Sequence, residues 1–298
     1  MQHTAITNQI PTTGVQSSTV QNIAAVPAVR ERSENPTVSL IVPTLNEAKN
    51  LPIVFAQLPE GLHEVIVVDG RSTDDTIEVA KSLRPDVRII LEDRPGKGHA
   101  LNAGFCAATG DIIVMIDADG SMDPAEIKLM VDALVEGADC AKGSRYLPGG
   151  GSTDITWHRN LGNKILTGFV NLWFGTSYTE LCYGYVAFWR DVLPALNPET
   201  AGFEVETKML IRMATQGLTI TETPSFEADR IHGESNLNAF SDGVRIAKVI
   251  AREMWEPTTP APVRTDIKEL VDVAPEAPVV AAQIVAQPAP ARELIPAA

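Results

Sequence analysis

Residues 110–127 read GDIIVMIDADGSMDPAEI, an apolar run that ends in two aspartates, Asp117 and Asp119, separated by Ala118. Carboxylates are hard oxygen donors. They suit Mg2+ or Mn2+, ions that keep some waters and complete their shells with substrate phosphates. Two like charges about 4 Å apart repel by roughly 4 kcal/mol at an effective dielectric near 20. A divalent ion relieves that repulsion and offsets charge building on a phosphate leaving group. A lone D-x-D triplet often serves a turn or a helix cap, so the elements around it decide its use.

Four other runs share this strand-like character: TVSLIVP (37–43), HEVIVVDG (63–70), DVRIILE (86–92) and ADCAKGSR (138–145). With 110–119 they make five strands, separated by helical patterns at 47–58, 74–83, 98–109 and 123–136. Pro124 stands where a missing N–H costs nothing, and Asp123 is a natural N-cap. Apolar strands alternating with amphipathic helices predict an α/β fold, a mostly parallel sheet with helices on both faces. In such sheets ligands bind outside the carboxyl ends of the strands. That rim collects PTLNE, DGRSTDD, DADGS and GSRY, and so brings Asn46, Glu47, Asp69, Asp117 and Asp119 to one edge.

The chain has 298 residues and a net charge of −14, which argues against a general electrostatic grip on nucleic acid. An anionic substrate then needs local basic groups or a metal. Residues 1–35 and the Pro/Ala-rich 256–298 read as disordered tails around a single folded domain, 36–255. Cys106, Cys140 and Cys182 are too scattered for a disulfide framework or a zinc site. No stretch reaches the roughly 18 apolar residues of a spanning helix, and the N-terminus lacks the pattern of a signal peptide. A cytoplasmic protein is expected.

VSLIVPTLNEAKNL, EVIVVDGRSTDDT, GKGHALNAGFCAATGDIIVMIDADGSMDP and AKGSRY, in this order and spacing, resemble the inverting glycosyltransferases of family 2, with the GT-A fold. The likeness spans about 38–146 strongly and continues more weakly to 255, where it is nearest the polyprenol-phosphate (dolichol-phosphate mannose synthase type) branch. It implies a nucleotide-sugar half, 36–146, and an acceptor half, 147–255. It implies that Pro43, Thr44, Asn46, Glu47 and Asp69 line the nucleotide pocket, with Lys97 and Ala118 beside the donor. Asp117 then approaches the ribose or the metal, and Asp119 binds the metal on the diphosphate. The family's second aspartate after strand two is Gly70 here, and a glutamine common after the D-x-D is Ser121.

For the acceptor half, the resemblance implies that Arg145, Arg159 and Arg230 hold an acceptor phosphate, Arg230 within a DRIHGES loop that also offers Ser235. Arginine's planar fork matches phosphate oxygens bidentately. Two segments, 155–175 and 241–255, have one apolar face each. Such faces belong either to ordinary packed helices or to helices lying in a membrane interface, so peripheral contact at the inner membrane face stays open. Glu206 falls where relatives that glycosylate hydroxyls place a catalytic base. A phosphate nucleophile is already ionised, whereas a sugar hydroxyl needs a base.

The expected activity is metal-dependent inverting transfer of a hexose from a nucleoside-diphosphate sugar to a polyprenyl phosphate. Transfer to a hydroxyl acceptor, in a polysaccharide, glycolipid or secondary metabolite with Glu206 as base, is the alternative. A non-catalytic nucleotide-sugar binding protein is a third reading. A nucleotidyltransferase is disfavoured, because PTLNE stands where a glycine-rich loop belongs.

Overall fold

The computed structural model describes residues 32–233, 239–256 and 264–270. Its centre is an eight-stranded sheet. Val38–Thr44 (β1), Glu64–Asp69 (β2), Arg88–Leu91 (β3) and Ile112–Met115 (β4) form a parallel block in the order β3-β2-β1-β4. Their side chains are almost all buried on both faces, which is why they read as continuous apolar runs rather than alternating ones.

The fifth expected strand, Cys140–Ser144 (β5), is not beside the fourth. Val186–Trp189 (β7) inserts between them, antiparallel to both, and Ile220–Pro224 (β8) extends the sheet beyond β5. A short parallel pair, Gly151–Ser152 (β6) and Phe226–Glu227 (β9), sits apart from the main sheet.

Leu51–Ala56 (α1), Thr76–Leu83 (α2), Lys97–Ala107 (α3) and Ile127–Val135 (α4) connect the first five strands. Asp123 caps the short helical turn at Pro124–Glu126, accepting the Ala125 N–H at 2.9 Å. Trp157–Phe174 (α5), Leu193–Leu196 (α6), Glu204–Thr215 (α7) and Ala239–Trp255 (α8) make up the second half. A small second core, including Val170, Leu181, Leu210, Ile211, Ile246 and Ile250, joins α5, α7 and α8. Across it Arg212 of α7 makes a buried fork to Glu253 of α8, at 2.9 and 3.0 Å.

The expected tail at 256–298 needs one correction. Lys268–Leu270 (β10) pairs antiparallel with β3 and adds an edge to the sheet. The RTDIKEL segment lacks proline and meets complementary charge: Arg88 donates to Glu269 at 2.7 and 2.8 Å, and Arg264 pairs with buried Glu92. An uncovered β3 would present a row of unpaired backbone groups. In the N-terminal tail, Arg32 pairs with Asp139 at 2.7 Å. Residues 1–31 and 271–298, and Ser235, lie outside the described residues.

Candidate active site

The loops after β1 and β2 are stitched to each other. Asn46 adopts a left-handed backbone (φ 59°), a conformation its short polar side chain tolerates. Its Oδ1 accepts the Thr73 N–H at 2.7 Å, and its own N–H donates to Ser72 Oγ at 2.9 Å. Pro43 and Thr44 end β1, and the Thr44 carbonyl accepts the Gly70 N–H at 2.9 Å. Asp69, at the tip of β2, uses Oδ2 to accept the N–H groups of Arg71 and Ser72, both at 3.0 Å. Its Oδ1 is buried without a hydrogen-bond partner.

Just beyond β4 two charge clusters form. In the first, Lys97 opens α3 and its Nζ lies 2.7 Å from Asp117 Oδ1 and 2.9 Å from Glu206 Oε1 in the first turn of α7. Burial works against the Lys97 charge, but the two carboxylates outweigh it and hold the ammonium above its ordinary value. One ammonium serves two carboxylates, and Asp117 bears the deficit. Burial, reinforced by Asp119 and Glu206 and opposed by Lys97, pushes its carboxyl up to about 6.

The second cluster centres on Arg230, which reaches Asp119 Oδ2 at 2.9 Å and Glu47 Oε1 at 3.1 Å. Glu47 Oε2 accepts Asn50 Nδ2 at 2.6 Å, and the same amide donates to the His232 carbonyl at 3.1 Å. Ser121 donates both its N–H (3.0 Å) and its hydroxyl (2.7 Å) to Asp119 Oδ1. Ala118, between the aspartates, is buried. The rim thus gathers Glu47, Lys97, Asp117, Asp119, Glu206 and Arg230 into two linked sets of opposite charges.

The other two arginines are placed differently. Arg159 stands in the first turn of α5, partly exposed, and pairs with Asp154 at 2.9 Å. Arg145 is buried: its Nε donates to Glu180 Oε1 at 2.9 Å and its Nη1 to Glu227 Oε2 at 2.6 Å. Its fork is thus shared between two carboxylates in this structure.

Glu180, Glu227 and fully buried Lys142, whose Nζ donates to the Glu180 carbonyl at 2.7 Å, carry no spacing signal in the sequence. They are recognisable only once β5, β8 and β9 are in place.

Helix α5 exposes its apolar stripe. Trp157 is 77% and Leu172 84% accessible, and Leu161, Ile165, Phe169 and Trp173 are also exposed. On α8, Phe240 and Trp255 are exposed near the two ends. Among the described residues no helix is long and apolar enough to cross a membrane.

The Glycosyl transferase family 2 pattern matches residues 39–196. An uncharacterized glycosyltransferase of Mycobacterium bovis is 33% identical over 212 residues, covering 70% of this chain and 94% of the relative. The undecaprenyl-phosphate mannosyltransferase of Micrococcus luteus is 30% identical over 224 residues, covering 71% of this chain and 92% of the relative. Glucosyl-3-phosphoglycerate synthase from Mycobacterium tuberculosis, solved with Mn2+, UDP-glucose and phosphoglyceric acid, matches with a TM-score of 0.60 and 26% identity. That match covers 74% of this chain and 81% of the neighbour. The mixed sheet with its charged carboxyl rim is a GT-A fold, and the chain belongs to glycosyl transferase family 2 and is a glycosyltransferase.

Proposed function

We propose that the enzyme transfers a hexose, with inversion, from a nucleoside-diphosphate sugar to a polyprenyl phosphate at a membrane face. The observation that carries this reading is the pairing at the rim: Asp119 and Glu47 share Arg230, while Asp117 and Glu206 share Lys97. Two cations beside a set of carboxylates suit a diphosphate donor. The stitched loops after β1 and β2, with Asp69 and Asn46 at their tips, form the nucleotide side.

The donor set fits a divalent ion. Asp119 Oδ2 already faces a cation, the Arg230 guanidinium. Among the described residues no group of three or more His, Cys, Asp or Glu side chains is arranged to hold a metal. Mg2+ typically takes one or two carboxylates and completes its shell with substrate phosphates, which is what Asp119, with Asp117 next to it, can offer. Such an ion, when bound, supplies Lewis-acid stabilisation of the diphosphate leaving group.

The chain's own residues do the rest. Lys97 and Arg230 place positive charge where the diphosphate departs, a preorganised electrostatic contribution. The acceptor phosphate is ionised and needs no proton removed, so Glu206 orients Lys97 rather than acting as a base. The exposed stripe of α5 supports a lipid-bound acceptor, as does the relative that mannosylates undecaprenyl phosphate. Arg159, at the start of that stripe, is the arginine best placed to meet a headgroup phosphate.

The test supplies labelled nucleoside-diphosphate sugars with polyprenyl phosphate to the full chain, then extracts with butanol. A sugar-bearing lipid is expected. Its absence for every donor, together with transfer to a hydroxyl acceptor that is lost in Glu206→Gln, replaces this reading with one in which Glu206 is the base.

A further inference from the structure

Strand β3 is the outer strand of the parallel block, and the segment that covers its edge comes from far along the chain. The register of β10 sets Lys268 opposite Leu91 and Leu270 opposite Ile89, so residues 264–267 lie beyond the carboxyl end of β3, beside the rim. Ile267 and Leu270 pack against the main core. Charge matches along the seam: Arg88 with Glu269, Asp93 with Lys268 and Glu92 with Arg264. Exposed ion pairs contribute little to stability, but Glu92 is only 2% exposed.

Glu92 begins the turn that leads to Lys97. Its N–H donates to the Asp69 carbonyl at 3.0 Å, which ties it to the tip of β2. Its carboxylate accepts the Arg94 N–H at 2.9 Å and the Arg94 side chain at 3.0 and 3.1 Å. Arg94 alone would neutralise it. Arg264, 172 positions away, brings a second guanidinium to the same carboxylate. Asp266 orients that guanidinium, accepting Arg264 Nε at 2.6 Å. At the far end of the turn Gly96 (φ 112°) lets the chain pass the Ala201 carbonyl, which a Cβ would strike. The same carbonyl accepts the Gly98 N–H at 3.1 Å. The turn is held at both ends, and Lys97 stands at the second hold, facing Asp117 and Glu206.

We infer that Arg264 is a positioning residue for the donor site: docked beside β3, it holds Glu92 and, through the 92–97 turn, fixes where Lys97 presents its charge. This rests on the reading of Lys97 as a cation at the donor diphosphate. The second guanidinium on Glu92 adds a fixed direction rather than a missing charge. The segment after α8 thereby takes part in donor binding, although it lies outside the residues 39–196 that match the family pattern.

The full chain is titrated calorimetrically, in Mn2+ and below its melting range, with uridine, guanosine, adenosine and thymidine diphosphates and with the matching monophosphates. Arg264→Gln removes the guanidinium while Arg94 still neutralises Glu92. Glu269→Lys loosens β10 from Arg88 without touching Glu92. Misplacing a positioned group by about 1 Å can cost about 100-fold. Because two carboxylates still hold Lys97, diphosphate affinity is expected to fall about tenfold in Arg264→Gln, and by less in Glu269→Lys. Monophosphate affinity should fall clearly less, and Arg264→Lys should recover part of the loss. Amide hydrogen exchange at residues 92–97 should quicken in both variants, with residues 40–42 of β1 unchanged.

A lower melting temperature with unchanged diphosphate affinity overturns the inference and leaves the segment a plain cover for the sheet edge. Equal losses for monophosphates and diphosphates overturn it too, because the defect would then lie on the nucleoside side. Unchanged exchange at residues 92–97 in Arg264→Gln removes the inference alone. If the unaltered chain binds none of these nucleotides, the functional reading fails, and the inference with it.

Discussion

Lys97 and Glu206, 109 positions apart in the chain, meet at 2.9 Å and join the first turn of α3 to the first turn of α7. The contact ties the first half of the chain to the second. Gly184 makes room for it, because a Cβ there would stand 2.6 Å from Glu206 Oε1 and 2.8 Å from Lys97 Nζ. Lys97→Met removes the shared cation and leaves Asp117 and Glu206 facing each other. Breaking a buried pair by removing one partner costs about 3–5 kcal/mol, and urea unfolding should show a loss at the low end of that range. A loss below about 1 kcal/mol would mean that the ammonium is not the neutralising group.

Asp119→Asn keeps the side-chain shape and removes the charge facing Arg230. A ligand that binds only the folded state stabilises it by about 2.7 kcal/mol at one hundred times its dissociation constant. The part of that stabilisation that depends on Mn2+ should vanish in Asp119→Asn, while any metal-independent nucleotide shift remains. Melting curves with and without Mn2+ check it, and a metal response equal to that of the unaltered chain would remove Asp119 as a ligand.

Exposed positions on α5 can be changed with little effect on stability. Ile165→Gln with Leu172→Gln should alter the unfolding free energy by no more than about 0.5 kcal/mol per site, as for surface substitutions in general. Flotation with anionic lipid vesicles should fall several-fold in the double variant. Equal flotation of both proteins would show that this face does not touch lipid.

Glu64 sets part of the acid limit of the fold. Burial opposes its charge, but hydrogen bonds from Ser39, Thr109 and Arg88 prevail and hold its carboxyl down to about 2. A carboxyl held lower in the folded state than in the unfolded state stabilises the protein above its ordinary value, near 4.3. That contribution disappears as the pH falls toward 2. Glu64→Gln should therefore be less stable at pH 7 by about 2 kcal/mol, and the gap should close between pH 4.5 and pH 2. A gap that persists at pH 2 would assign the loss to packing instead.

The rim was legible in the sequence because parallel strands buried on both faces announce themselves as apolar runs, and the residues after each run must lie at one edge. Asn46, Glu47, Asp69, Asp117 and Asp119 all stand where that argument puts them. Partnerships across the chain were not legible. Arg145 finds Glu180 and Glu227 at separations of 35 and 82 residues, and no local pattern encodes either meeting. Strands β7 and β10 are only four and three residues long, too short to show a period. For α5 the spacing reveals an apolar face but not whether that face meets the core or the outside. Only the packing of Asn163, Thr167 and Val170 inward settles it.

The insertion of β7 between β4 and β5 has a consequence for how the enzyme could diversify. The strand that lies against β4 is encoded in the second half of the chain, so the two halves cannot be recombined as interchangeable modules. A hybrid that takes its second half from a cousin must also accept that cousin's Val186–Trp189 equivalent against its own Ile112–Met115. Acceptor preference is therefore expected to drift by changes in loops and in the outer helices, with the crossing strand inherited intact.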